Sequence, residues 1–163
     1  MLTISKRIQD WSVSAVRKLT PYAVEAKKKG VKIYHLNIGD PDIKTPKVML
    51  DVLRNWDMET IKYAPSKGEQ ELLTALKSYY QNLGFRKINE ENLLVTVGGS
   101  EAVVMSLFAV ANSGDEILVF EPFYSNYSSC ASFVDVKLVP VPTIIDNGFH
   151  LPTRGEIEKK ITK

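Results

Sequence analysis

Gly99, Ser100 and Glu101 stand where an apolar run, Leu93-Leu94-Val95-Thr96-Val97, breaks through Gly98 into a polar helix start, and residues of these types at that junction can hold an anion. Leu93 to Val97 has the aliphatic, β-branched content of a buried strand. Gly98 and Gly99 allow a tight turn with close backbone approach. Ser100 is expected to cap a helix that begins near Glu101. Unpaired amides at such a start, backed by the positive end of the helix dipole, suit a phosphate group. The spacing matches neither the dinucleotide pattern G-x-G-x-x-G nor the nucleotide loop G-x-x-x-x-G-K-[ST].

Three further segments carry residues of chemical interest. Gly39 lies in Leu36-Asn37-Ile38-Gly39-Asp40-Pro41-Asp42, Tyr63 opens Tyr63-Ala64-Pro65-Ser66-Lys67-Gly68, and Tyr124 lies in Glu121-Pro122-Phe123-Tyr124-Ser125-Asn126-Tyr127. Each alone reads as well as an ordinary turn or a half-buried aromatic. Other reactive types offer less. Cys130 is the one cysteine, flanked by small residues, and reads as packing. His35 reads as strand filler and His150 as loop, and the two have no metal-ligand spacing, so no metal is expected. The run Lys27-Lys28-Lys29 before Gly30 suits the last turn of a helix.

Together and in this order, the four motifs resemble the aspartate aminotransferase family, fold-type-I enzymes that use pyridoxal 5'-phosphate (PLP), from about Ser14 to the last residue. The resemblance implies that the amides of Gly99, Ser100 and Glu101, with the Ser100 hydroxyl, hold the cofactor phosphate, while the Glu101 carboxylate turns away from it. It puts Tyr124 where many relatives carry a ring-stacking Trp; Phe123 takes that role if the register slips by one, and Tyr127 lines the same pocket. Gly39 matches the glycine whose amide lies against the substrate α-carboxylate. Tyr63 matches a tyrosine that reaches the partner's cofactor phosphate, which implies a homodimer. Leu73 stands where relatives often have Arg.

The implied activity is transfer of an amino group between an amino acid and a 2-oxo acid. The family's cofactor-anchoring lysine, the aspartate facing the pyridine nitrogen, an Asn-Pro-x-Asn-Pro-Thr-Gly loop and the arginine for the substrate carboxylate all match positions beyond Lys163. No catalytic residue is therefore expected within these residues, and the isolated chain is expected to be an inactive N-terminal portion of the enzyme. Alternatives are another fold-type-I reaction, of carbon–sulfur lyase or aminocyclopropane-carboxylate synthase type, a non-catalytic α/β binding module, or a generic nucleotide-binding α/β domain.

The elements that must position these residues follow from caps and periods. The 163 residues, 44% hydrophobic and 25% charged, have the composition of a water-soluble globular protein. With 21 basic and 19 acidic residues mixed along the chain there is no basic face for nucleic acid or membrane. Neither a signal peptide nor an apolar run approaching the ~18 residues of a membrane span is evident, and a cytoplasmic location is expected. Helices are expected at Pro21–Lys29, from Thr45-Pro46 to Asn55, between Gly68 and Gly84, at Ser100–Asn112, at Tyr124–Phe133 and from Thr153. Strands are expected at Val31–Leu36, Leu93–Val97, Ile117–Phe120 and Val136–Val141. Their alternation argues an α/β fold with mostly parallel strands and flanking helices, here part of a fold-type-I large domain preceded by an N-terminal arm. Residues 1–44 are assigned to the arm and part of the small domain, and 45–163 to the first part of the PLP-binding large domain. The almost wholly apolar helix after Gly99 should be buried on most sides. A sheet missing later strands would leave an edge and an apolar face open, favouring a dimer or larger assembly.

Overall fold

Ile117–Phe120 and, apart from its first residue, Val136–Val141 lie in strands, in a computed structural model that describes residues 3–9 and 15–162. Ser14, where the family resemblance begins, and Lys163 lie outside the described residues. The helices are α1 (Lys6–Gln9), α2 (Ala15–Lys18), α3 (Thr20–Lys28), α4 (Lys47–Arg54), α5 (Gln70–Asn82), α6 (Gly99–Val110), α7 (Asn126–Phe133) and α8 (Arg154–Glu158). The strands are β1 (Glu116–Glu121) and β2 (Lys137–Pro142). The chain separates into two compact units, one taking in the residues up to Tyr34 with those from Val97 onward, the other His35–Thr96.

In the first unit, β1, α7 and β2 make a βαβ crossover with parallel strands, Ile117 opposite Leu138 and Phe120 opposite Val141. The Lys137 amide donates to the Asp115 carbonyl and the Thr143 amide to the Glu121 carbonyl, both at 2.8 Å. By the two-residue period of a strand, 139 and 141 also face β1, and Pro140 and Pro142 fall on the alternate positions, where no ladder donor is lost. Cys130 and Ala131 of α7 pack with Val136 and Val141 to form the buried core, so Cys130 is the small packing residue its neighbours suggest. The return into β2 is fixed by Asp135 in left-handed backbone, φ 58°, whose carbonyl accepts from the Gly114 amide and whose carboxylate accepts from the Ser113 hydroxyl.

The helix α6 departs from expectation. No residue of it is buried, and Phe108 and Val110 are 77% and 76% exposed. Its sequence is apolar all round, so only a cover on several sides could bury it. Within the unit it packs on α7, and an open apolar groove lined by Val103, Leu107, Val119 and Leu138 separates it from β1. The helix α3 begins at Thr20, with Leu19 at the N-cap, and stops at Gly30, whose φ of 79° no continuing helix could use. The segment 31–36 is not the strand its residues suggest: the Val31 amide closes α3 by donating to Ala26 O, and no ladder forms. His35 is accordingly exposed in a non-strand segment, and His150 lies in a loop as expected. At Thr153 the expected helix start holds: the Thr153 amide and hydroxyl both donate to Glu156, holding that carboxyl below the usual carboxylate range.

In the second unit Pro46, not Thr45, is the N-cap of α4. The helix α5 buries Leu73, 4% exposed, which is the buried apolar anchor among the unit's described residues. Leu93 is extended, at φ −114° and ψ 140°, but the segment 93–96 is not in a ladder among the described residues; the Val95 amide donates to Lys67 O at 2.9 Å in the loop before α5. Both segments have strand-forming residues but join no strand ladder among the described residues, and propensity does not create a partner.

Half-buried Lys77 donates to Glu90 at 2.7 Å, and the Thr74 hydroxyl donates to the same carboxylate oxygen at 3.3 Å. The hydrogen bond from Lys77, a backbone hydrogen bond at Glu90 and the Lys77 charge together outweigh burial and hold the Glu90 carboxyl below its ordinary value. A depressed folded-state pKa means the unfolded chain takes up the proton more readily. The contribution is therefore whole above the ordinary glutamate value and disappears as pH falls through the depressed one. Lys77→Met is expected to flatten the acid limb of urea-unfolding stability measured from pH 6 to pH 3. An unchanged acid limb would show that the pair does not couple to folding.

Candidate functional site

Ser100 is not the cap of α6. Gly98, extended at φ 176° and ψ 176°, holds that position, and its carbonyl accepts the first helical bond from the Ala102 amide at 3.1 Å. The helix thus starts two residues earlier than expected, and the amides of Gly99, Ser100 and Glu101 all precede its first bond. Ser100 moves inside the first turn. Its Oγ accepts from Asn126 Nδ2 at 3.0 Å, a link from the start of α6 to the start of α7.

Glu101 resolves the difficulty of an acid beside an anion site. Its Oε2 accepts from the Val97 amide at 2.6 Å, so the carboxylate curls back over the turn and satisfies a backbone donor ahead of the helix. Nothing lies within 4 Å of where a Cβ on Gly99 would sit, so the space in front of the turn is open. Three amides ahead of the first helical bond and open space beside Gly99 are features that a phosphate site requires.

Tyr124 precedes α7 by two residues and is 66% exposed. It meets Tyr127 edge to face, centroids 5.8 Å apart at 84°, while Tyr127 stacks on Phe123 at 6.4 Å and 11°. Tyr127 therefore touches both neighbours, and Tyr124 is the most exposed of the three aromatic residues. Gly99, Ser100, Glu101 and Tyr124 belong to the first unit, and Gly39 and Tyr63 to the second. Gly39 is exposed with open space at its Cβ position, and Tyr63 is fully exposed.

The family model described as "Aminotransferase class I and II" matches residues 31–163. The chain belongs to this family. Among curated aminotransferases of the family it is 30% identical to the aspartate/prephenate aminotransferase of Thermus thermophilus, over 99% of this chain and 42% of that protein. A solved single mutant of Thermus thermophilus aspartate aminotransferase superposes with a TM-score of 0.87 at 30% identity, covering 99% of this chain and 42% of the other. An alanine aminotransferase from Pyrococcus furiosus gives 0.86 at 31% identity, covering 98% and 41%. The chain thus spans about two-fifths of the length of the aminotransferases it matches.

The expected α/β architecture of the aminotransferase family is the one these superpositions share. Two contributors to the site were not foreseen from the sequence: Asn126, and the Val97 amide that draws in Glu101. The signal for Asn126 was a polar residue two places after Tyr124 at a helix start, which by itself points nowhere. No described helix is long and apolar enough to cross a membrane.

Proposed function

We propose that the protein is a PLP-dependent aminotransferase and that this chain supplies the phosphate and ring contacts of its site. The observation that carries the reading is the first turn of α6, with three amides ahead of the first helical bond, the Ser100 hydroxyl tied to Asn126, and the Glu101 carboxylate drawn off to Val97. Gly99, Ser100 and Glu101 hold the phosphate through their amides, and Ser100 adds its hydroxyl. Tyr124 stacks on the pyridine ring. When bound, PLP supplies the electron sink through which an amino group passes between an amino acid and a 2-oxo acid. Gly39 offers its amide to the substrate carboxylate. Tyr63, fully exposed, reaches the phosphate of a second subunit in a homodimer. In this reading residues 1–44 are the arm and part of the small domain, 45–163 open the cofactor-binding domain, and the lysine that anchors the cofactor lies outside these 163 residues.

Titration with PLP and with pyridoxal, which lacks the phosphate, tests the reading. Tyrosine fluorescence of this chain is expected to report reversible binding of PLP at least tenfold tighter than pyridoxal. Borohydride treatment is expected to label no single lysine. Equal affinities would remove the phosphate cradle, and one uniquely labelled lysine would overturn the assignment of the anchor.

A further inference from the structure

We infer that Asn126 is a positioning residue that aims the Ser100 hydroxyl proton into the phosphate cradle. The inference rests on the phosphate reading given above. A serine hydroxyl has one proton and two acceptor lone pairs, and its rotor settles according to its neighbours. Asn126 Nδ2 donates to Ser100 Oγ at 3.0 Å, so one lone pair is taken and the proton remains available to donate elsewhere. The amides of Gly99, Ser100 and Glu101 are donors, and the one acceptor side chain of the turn, the Glu101 carboxylate, is engaged by the Val97 amide. A hydroxyl held as acceptor by Asn126 completes a ring of donors around the open space beside Gly99. An oxygen facing Ser100 instead would draw its proton away and turn a lone pair toward a dianion.

The contact is built to persist. Asn126 is the first residue of α7 and half-buried, α7 packs on α6, and Cys130 and Ala131 anchor α7 in the core. Tyr124, two residues upstream, rides on the same segment, so phosphate donor and ring platform are set by one packing arrangement. No sequence rule links residues 26 positions apart; the link exists through the α6–α7 contact.

The test compares Asn126→Ala, Asn126→Asp, Ser100→Ala and the two doubles in the full-length protein, each titrated with PLP and with pyridoxal. Asn126→Ala is expected to weaken PLP about fivefold to tenfold, the size of one ordinary hydrogen bond, because the freed hydroxyl can still turn its proton toward the phosphate part of the time, and to leave pyridoxal unchanged. In the Ser100→Ala background the same change should have almost no effect. Asn126→Asp keeps the shape and a hydrogen bond but reverses its direction, so it should weaken PLP at least as much as alanine does. Its excess loss over the same change in the Ser100→Ala background measures orientation apart from charge. A merely structural contact would leave the aspartate variant near wild type and would lower both ligands alike, and either result overturns the inference. Retained preference for PLP in Asn126→Ala overturns it alone, whereas no preference in the unmodified protein overturns the cradle as well.

Discussion

Replacing Gly68 with alanine is expected to lower stability by about 2–4 kcal/mol, a large share of the margin a domain of this size has. Two independent effects converge there. The backbone at Gly68 has φ 116°, a conformation that side-chain-bearing residues rarely adopt. A Cβ would also come within 2.5 Å of Val95 Cγ2 and 2.7 Å of Val95 Cβ. The valine cannot retreat freely, because its amide is tied to Lys67 O, next to the glycine itself. The cycle of Gly68→Ala, Val95→Ala and their combination, followed by urea unfolding, separates the effects. The double variant is expected to recover the part of the clash due to Val95 Cγ2 and to keep both the backbone part and the contact with the Cβ that alanine retains at 95. Strict additivity, or an unchanged unfolding midpoint for Gly68→Ala, would show that the two segments are not in contact.

Gly99→Ala should behave in the opposite manner. Its added Cβ meets nothing within 4 Å and its backbone is helical, so the fold gains rather than loses, by up to about 1 kcal/mol of helix propensity. Cofactor binding should suffer, because the methyl group takes up space through which an anion reaches the first-turn amides. PLP affinity is expected to fall at least tenfold with thermal stability intact, and pyridoxal affinity to change little. A variant that binds PLP as well as the parent would mean that anions do not approach α6 from this side.

The parts of the fold legible in the sequence are those whose cause is local. The helix α5 follows from Leu72, Leu76, Tyr79 and Leu83 at helical spacing, and the crossover from alternation of apolar strands with a helix between them. What failed depends on a neighbour. Leu93 to Thr96 has the residues of a strand and Leu93 its dihedrals, yet a strand is defined by the chain alongside, and no ladder includes the segment among the described residues. The burial expected of α6 failed for the same reason, since an all-apolar helix asks for cover that the unit's described residues do not supply. At the site, glycine, serine and tyrosine were legible by type and spacing. Ser100 was misjudged as the cap because side-chain preference favours serine, whereas the carbonyl of Gly98 decides where the helix begins. Asn126 was invisible because its meaning lies in the packing of α7 on α6.

The two prolines of β2 give the sheet a direction of growth. Positions 138, 140 and 142 look away from β1, and with Pro140 and Pro142 among them that flank has only the Leu138 amide to give a newcomer. The opposite flank is intact: Glu116, Leu118 and Phe120 each point a peptide unit outward from β1, and no strand pairs with them among the described residues. Any additional strand, from this polypeptide or from a stray neighbour, can zip onto β1 and finds β2 a closed border, so the same imino acids that end the sheet also guard it against edge-to-edge aggregation.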